Sequence, residues 1–301
     1  MNWRKLKELI MEGRGQGHLD AYLPWLFLRR RNPSKRGNQV SGDLPGYSRL
    51  TSFLARIEWH FALLLLWLGV LDVREQFPMW PMAHPHPLAG FPGSPRPGEL
   101  PVLRGLMEIA RDAGIDHGWQ VGAPDVPYVG TLDLVATRVV NGELALSMIA
   151  AKPSENVKEA SPASNTIGRL ELQRRYAREA GATIAIADAS LIGPHFGDNL
   201  QDFASAADLP AHLSDRSRLA DFCALVSAVS LKETLNDAIA TARDRFALDA
   251  ASASRMFRAG VWRRLIDLDL SEFIVMSYPR RPGARLAAAL EKELFPKEGA
   301  R

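Results

Sequence analysis

The sequence has very little cysteine, with Cys223 the single one among its 301 residues. One cysteine cannot form an internal disulfide, so a reducing, cytoplasmic compartment is the expectation. Long apolar runs are also missing. The run 61–71 is too short for a bilayer, which needs about 20 residues. Since residues 3–12 mix charges with apolar side chains, they do not resemble a secretory leader. The sequence therefore predicts a protein without a membrane partner.

A large excess of one charge is absent too, because the net charge is +3 and the pI is about 9.1. Apolar residues make up 47% of the chain, enough for the core of one large or two ordinary domains. Basic residues crowd into the first fifty positions, beside a glycine-rich stretch at 13–17. This combination favours contacts to DNA phosphates without sequence reading. The predicted DNA-binding residues in this basic arm are Arg14, Arg29, Arg30, Arg31, Lys35 and Arg36.

The strongest structural signal is a β-hairpin over residues 129–153. Asn141-Gly142 is typical of a two-residue type I′ turn, in which both central residues need positive φ. Such a turn fixes the pairing and places Asp133 opposite Ala150 and diagonal to Lys152. Diagonal neighbours lie about 7–8 Å apart, within reach of one bound ion or phosphate. From Asp133 and Lys152 alone, an ordinary ion pair at the end of the hairpin is the favoured interpretation.

A second candidate residue lies on a predicted helix over residues 50–68. Apolar side chains recur there at spacings of three and four, and Glu58 falls within the apolar stripe. A carboxylate in such a stripe requires a partner, a metal ion or a raised pKa. The alternative is a glutamate at the rim of the stripe whose carboxylate reaches solvent.

The remaining pattern predicts an α/β fold built on a mixed sheet. A strand, a helix and a second strand in succession imply a crossover connection and a parallel pairing. His84 and His86 have ligand-like spacing, but they lie in a proline-rich loop and are expected to be solvated. The predicted elements around the hairpin are a strand over 70–77, a proline-rich loop over 78–101, a helix over 102–114, a helix over 165–180 and a strand over 182–187.

The composition turns small and polar around residues 194–210, which predicts a domain boundary. The predicted domains are therefore 1–193 and 194–301. The second is predicted to be mainly helical, and two extended pieces near 265–268 and 272–276 make it resemble a winged helix. Its predicted helices are capped by Ser214, Ser230 and Asp249, with a last helix over 284–294.

The hairpin and the first helix together indicate a specific chemistry. Glu58 and Asp133 would supply the hard oxygen ligands that Mg²⁺ prefers. A bound Mg²⁺ stabilises charge on a phosphodiester and lowers the pKa of a bound water, and Mn²⁺ can replace it. Lys152 would orient that water and offset negative charge in the transition state. The predicted catalytic residues are therefore Glu58, Asp133 and Lys152, the first two as metal ligands.

The order of the motifs resembles that of the TnsA-type endonuclease subunits of heteromeric transposases, a branch of the restriction-endonuclease-like PD-(D/E)xK nucleases. The resemblance covers about the first 190 residues. Its most specific parts are the string Arg74 to Pro78 and the helix segment Arg174 to Tyr176. The matching stretches are Glu12 to Gly17, Tyr22 to Trp25, Ile57 to Trp59, Asp72 to Pro78, Ala113 to His117, Thr131 to Asp133, Lys152-Pro153 and Leu170 to Tyr176.

The resemblance implies a restriction-endonuclease-like mixed sheet flanked by helices and a Mg²⁺-dependent endodeoxyribonuclease. Such a subunit cuts the strands that carry the transposon 5′ ends, while an integrase-type transposase partner cuts and joins the 3′ ends. The other implied partners are double-stranded DNA and an AAA+ regulator ATPase, which the winged-helix-like domain would contact. The implied location is the bacterial cytoplasm, at the nucleoid during transposition. By resemblance Glu58, Asp133 and Lys152 take the catalytic positions, Arg174 and Arg175 are added to the DNA-binding residues, and the supporting residues are Arg74, Gln76, Glu171 and Tyr176.

One departure from the family pattern lies at the centre of the predicted site. The family usually carries Gln or Glu two residues before the lysine, as a further metal ligand, and this chain has Ala150. Glu171 is a candidate to replace the missing ligand. Two alternatives stay open: a stand-alone restriction or repair nuclease of the same fold, and a DNA-binding scaffold whose catalytic site has degenerated.

Overall fold

The structure, a computed structural model, describes residues 1–26, 39–96, 98–120, 122–152 and 165–296. The helices in these ranges are α1 (Trp3–Met11), α2 (Arg56–Trp67), α3 (Leu106–Ala113), α4 (Asn165–Glu179), α5 (Gly193–Ala204), α6 (Arg216–Val229), α7 (Leu235–Arg245), α8 (Ala250–Trp262) and α9 (Ala284–Leu294). The strands are β1 (Val40–Gly42), β2 (Thr51–Phe53), β3 (Asp72–Met79), β4 (Trp119–Gln120), β5 (Ala123–Pro127), β6 (Gly130–Val140), β7 (Glu143–Lys152) and β8 (Thr183–Asp188).

A four-stranded mixed sheet in the order β3-β6-β7-β8 organises the first part of the chain. The β3–β6 and β6–β7 pairings are antiparallel, and β7 and β8 pair in parallel with α4 between them in the chain. The predicted turn is confirmed, because Asn141 and Gly142 have φ of 52° and 87°. The predicted register is confirmed as well, with Leu134 opposite Ile149. Hence the mixed α/β architecture is as predicted.

The two faces of this sheet are covered by different apolar clusters. The first core contains Val73 and Leu134 from the sheet and packs them against α2 and helices α5 to α9. The second core contains Val135 and Met148 and packs them against α3 and α4. Because the first core holds residues from both sides of position 193, one continuous apolar contact crosses the predicted domain boundary. The boundary itself stays a prediction.

Side chains normally alternate between the two faces of a sheet, and this alternation is interrupted at one point in β3 and at one point in β6. Residues two or four apart in a strand lie on the same face, yet Val73 packs in the first core and Phe77 in the second. On β6, Leu134 and Leu132 are divided in the same way. On β3, Gln76 lies between Val73 and Phe77. Its φ of 48° is left-handed, which reverses the face of the sheet that the following side chains occupy. The side chains of β3 and β6 therefore exchange sides of the sheet close to the point where Glu58 and Asp133 are predicted to meet.

The helical C-terminal part agrees with the sequence in outline and differs in its caps. Asp249 caps α8 as predicted, since its side chain accepts a hydrogen bond from the Ser252 backbone N–H at 2.7 Å. The other two predicted caps are wrong: Asp215 caps α6 in place of Ser214, and Thr234 caps α7 in place of Ser230. In each case the residue nearer the helix accepts the backbone bond.

The predicted β-ribbon is wrong, because no strand occurs among the described residues after Asp188. Side chains from other elements satisfy this backbone instead of a second strand. Asn199 donates to the carbonyls of Leu270 and Glu272, both at 2.9 Å, and Arg280 donates to that of Asp267 at 2.6 Å. The winged-helix likeness is thus not confirmed. Within the described ranges, no helix has the length and apolar character to cross a membrane.

Candidate active site

Glu58 lies in the first turn of α2, with its side chain directed into the protein and only 6% exposed. Its Oε2 accepts hydrogen bonds from the Leu54 backbone N–H at 3.0 Å and from Gln76 Nε2 at 2.9 Å. An acidic side chain is favourable at a helix N-terminus, where N–H groups lack partners. The alternative of a rim glutamate in solvent is therefore wrong. Glu58 is a buried carboxylate with fixed donors.

Gln76 connects Glu58 to the sheet. While its Nε2 donates to Glu58, its Oε1 accepts from Thr131 Oγ1 at 3.3 Å. The side chain is 1% exposed. The neighbouring pairs, Glu75 with Leu134 and Phe77 with Leu132, place Gln76 across from Asp133. The supporting residue that the motif indicated thus bonds to Glu58 and lies opposite Asp133 in the strand pairing.

Asp133 and Lys152 are positioned by the hairpin. Asp133 is half-buried on the central strand β6, between Gln76 on one side and the position of Ala150 on the other. Ala150 is fully buried and pairs with Ile186 of β8. The backbone of Lys152 forms the last residue of β7, in register with Asp188. The structure therefore links Glu58 to Gln76, whose backbone lies across from Asp133, and the shared metal site stays a prediction.

Glu75, which precedes Gln76 in the Arg74 to Pro78 string, holds β3 in position through a buried ion pair. Glu75 is fully buried and forms a two-pronged ion pair with Arg49, at 2.7 and 2.8 Å. Burial alone would lower the pKa of Arg49, but its hydrogen bonds to Glu75 and the negative charge of Glu75 raise it. The Arg49 guanidinium lies over the rings of Tyr22 and Tyr47. This ion pair fixes the backbone of β3 next to Gln76.

Arg74 lines a neighbouring cavity of about 430 Å³. It donates to the Pro87 carbonyl at 2.9 Å, and its Nε lies 3.6 Å from Asp72 Oδ2. Burial lowers the pKa of Arg74, against the opposing effect of Asp72. Glu58 and Asp133 do not line this cavity. Arg74 therefore supports the fold beside the site.

Two histidines of the proline-rich loop are buried, contrary to the prediction that they are solvated. His84 Nδ1 lies 2.8 Å from the Met82 carbonyl and its Nε2 2.8 Å from the Tyr176 hydroxyl. His86 Nε2 lies 3.0 Å from the Ala180 carbonyl. Burial lowers the pKa of both imidazoles and raises that of Tyr176. These contacts attach the loop to α4 and to the residue that follows it, and they give the tyrosine of the motif a buried partner.

Glu171 is held by arginines. Its carboxylate accepts from Arg174 Nε at 2.8 Å and from Arg175 Nε at 2.6 Å, on the same face of α4. The hydrogen bond from Arg174 is the main reason why the pKa of Glu171 is lowered to about 2. In this arrangement Glu171 orders two predicted DNA-binding arginines, both partly exposed.

The glycine-rich stretch packs against the end of β3. A Cβ on Gly15 would lie 2.2 Å from Pro78 Cγ, and the φ of 72° also requires glycine. Arg14 in this stretch donates to Glu12 and to the Pro24 carbonyl, both at 3.1 Å. The other residues of the predicted basic arm, Arg29, Arg30, Arg31, Lys35 and Arg36, lie outside the described residues.

Glu58 and Asp133 would suit Mg²⁺ if substrate phosphates and waters supply the remaining ligands. Within the described ranges, no group of three or more His, Cys, Asp or Glu side chains is arranged to hold a metal ion. Mg²⁺, however, is commonly held by one or two carboxylates, with substrate phosphates and waters completing the shell. Glu58 supplies one buried carboxylate oriented by two N–H donors, and Asp133, opposite Gln76 in the sheet, would supply the second. Waters would complete the shell of such a site in the free protein, and DNA phosphates would replace some of them in the complex.

Comparison with known proteins gives one informative match. The chain is 29% identical over 212 residues to the transposon Tn7 transposition protein TnsA of Escherichia coli. The match covers 68% of this chain and 66% of TnsA, so the chain spans just under two thirds of that relative. No protein-family model matches the chain. The similarity confirms the predicted resemblance to TnsA-type proteins.

Proposed function

We propose that this TnsA-like chain is the metal-dependent DNA endonuclease subunit of a heteromeric transposase, cutting the strands that carry the transposon 5′ ends. The observation that carries the proposal is the link from buried Glu58 through Gln76 to the position opposite Asp133. The similarity to a transposition protein supplies the biological context. The mixed sheet between helical layers is compatible with the restriction-endonuclease-like core that the resemblance implies.

Each residue has a defined task in this proposal. Glu58 and Asp133 would hold Mg²⁺ or Mn²⁺, which when bound stabilises charge on the phosphodiester and acidifies a water. Lys152 would hold the attacking water and offset the charge that develops on the phosphate. Arg174 and Arg175 lie on the exposed face of α4, where they would contact the DNA backbone. Arg14 and the basic arm would add further phosphate contacts.

The proposed partners follow from the family reaction. An integrase-type transposase would cut the 3′ ends and present the DNA end to this subunit. An AAA+ regulator would contact the helical part formed by α6 to α9. A chain that needs its partner for the DNA substrate is expected to show little cutting alone.

Strand-specific cleavage tests the proposal. The purified chain, its recombinase partner and end-labelled transposon DNA are incubated with Mg²⁺ or Mn²⁺, and 5′-strand nicks are resolved on a denaturing gel. Asp133→Asn and Lys152→Ala are expected to lower the nicking rate by about 100-fold or more, and EDTA to abolish it. Both variants should still bind DNA in a gel-shift assay. Asp125→Asn removes an exposed carboxylate of β5 and is the matched control. Undiminished nicking by the site variants would contradict the assignment.

A second candidate function is favoured by Ala150, a fully buried alanine opposite Asp133 where the family has a ligand. In this candidate the chain is a DNA-binding scaffold without cleavage activity. Ala150→Gln separates the two, after a thermal melt has shown that the variant folds. If the wild-type chain binds DNA without nicking it under either metal and Ala150→Gln nicks, the scaffold function is correct. If the wild-type chain nicks, the endonuclease function is correct.

A further inference from the structure

The unexplained feature of the site is the backbone of Gln76. A residue with a side chain and a φ of 48° within a strand is uncommon, and it costs free energy unless the surroundings hold it. The strand on either side is regularly paired with β6. Glycine adopts this φ without strain, and asparagine tolerates it better than glutamine does. The side chain of Gln76 must therefore provide something that glycine cannot.

The contacts of the amide show what it provides. Nε2 donates to Glu58 at 2.9 Å, and Oε1 accepts from Thr131 at 3.3 Å. Because an ionised Glu58 carboxylate can only accept, the end of the amide that faces it must be the NH₂ group, which leaves Oε1 to accept from the Thr131 hydroxyl. The left-handed φ turns β3 over at this residue, so that its side chain reaches Glu58. Both buried polar ends of the amide are satisfied.

We propose that Gln76 is a positioning residue for the metal site, an amide that fixes the orientation of the Glu58 carboxylate next to Asp133. The inference rests on the proposed function, and it deepens that function by assigning a task to a residue outside the catalytic set. The amide compensates for part of what Ala150 lacks, since it holds an existing ligand in place instead of adding one. Residues that orient metal ligands typically account for a 10–100-fold difference in metal affinity.

A metal titration without DNA tests this inference independently of cleavage. Binding of Mn²⁺ to the purified full chain is followed by the loss of the free-ion EPR signal. Gln76→Gly removes the amide and relieves the left-handed backbone, so the fold is retained. Gln76→Asn also tolerates this backbone but is one methylene too short to reach Glu58. Both variants are expected to bind Mn²⁺ about tenfold more weakly, and a thermal melt without metal checks that each variant still folds.

Gln173→Ala is the matched control. Gln173 is also a buried glutamine, and it donates to the Thr131 carbonyl at 3.3 Å without reaching Glu58. Its substitution is expected to leave the Mn²⁺ affinity within about twofold of wild type, well below the change expected for a ligand-orienting residue. Unchanged affinity in Gln76→Gly, or equal weakening in Gln173→Ala, would overturn the inference and leave the proposed function standing. A wild-type chain that takes up no more Mn²⁺ than Asp133→Asn would overturn both.

Discussion

Replacing Arg49 by methionine is expected to destabilise the protein strongly, because it leaves Glu75 buried without its counter-charge. The pair is almost inaccessible to solvent, with side-chain exposures of 9% for Arg49 and 0% for Glu75. At 2.8 Å and an effective dielectric constant of 20, the gross attraction is about 6 kcal/mol. Desolvation offsets part of it, and removing one partner of a buried pair costs about 3–5 kcal/mol. For a chain of this size the melting temperature should fall by roughly 6–20 °C.

Differential scanning calorimetry and urea unfolding of Arg49→Met, Glu75→Gln and the double variant measure the effect. The double variant should lose less than the sum of the single losses, by about 1–3 kcal/mol, because the two residues share one interaction. Arg104→Met is the control, since Arg104 forms its ion pairs with Glu179 and Asp112 at the surface, where solvent screens them. A loss below about 1 kcal/mol in Arg49→Met, or additive losses in the cycle, would refute this reasoning.

Two further predictions concern the loops that pack around β3. The pKa of His84 is lowered by burial, so the unfolded chain binds a proton more readily below its ordinary pKa of about 6.5. The stability that neutral His84 provides is present above that pH and is lost as the pH falls, with a slope of up to about 1.4 kcal/mol per pH unit. Melting curves between pH 5 and 7 should show a smaller slope in His84→Gln and no change in the exposed control His195→Gln; equal slopes in all three would contradict the assignment. Gly15→Ala should cost about 2–5 kcal/mol in urea unfolding, from left-handed backbone strain and overlap with Pro78, whereas Gly46→Ala shares the positive φ without a close neighbour and should lose only the strain part. Equal losses in the two glycine variants would show that the packing contact is unimportant.

The parts of the fold that could be predicted from the sequence are those decided by local chemistry. The Asn141-Gly142 turn fixes the hairpin and its register because few residues adopt two successive positive φ values. Helix α5 could not be predicted, because Gly193, Pro194 and Gly197 are poor helix formers. It forms because tertiary contacts override propensity. A Cβ on Gly197 would lie 2.1 Å from His60 Nδ1, so this glycine permits the close approach of α5 to α2.

Part of the candidate site could also be predicted from local sequence patterns. Glu58 and Asp133 are conspicuous in the sequence as carboxylates on apolar elements, and the structure bonds Glu58 to Gln76, the residue opposite Asp133. What no periodicity could reveal is the φ of Gln76, because a left-handed residue inside a strand is imposed by its surroundings. The burial of His84 was hidden for a similar reason, since its partner Tyr176 lies 92 positions away in the chain.

The string from Arg74 to Pro78 shows how a few adjacent residues can identify a site without forming its catalytic set. Four of its five side chains contact different segments: Arg74 the proline-rich loop, Glu75 the Arg49 region, Gln76 the start of α2, and Pro78 the glycine-rich stretch. A strand with such dissimilar neighbours on successive positions permits few substitutions, because each change leaves a buried charge, amide or contact unsatisfied. The string therefore fixes where α2 and the N-terminal loop meet the sheet, and with that the position of Glu58 relative to β6, the strand that carries Asp133.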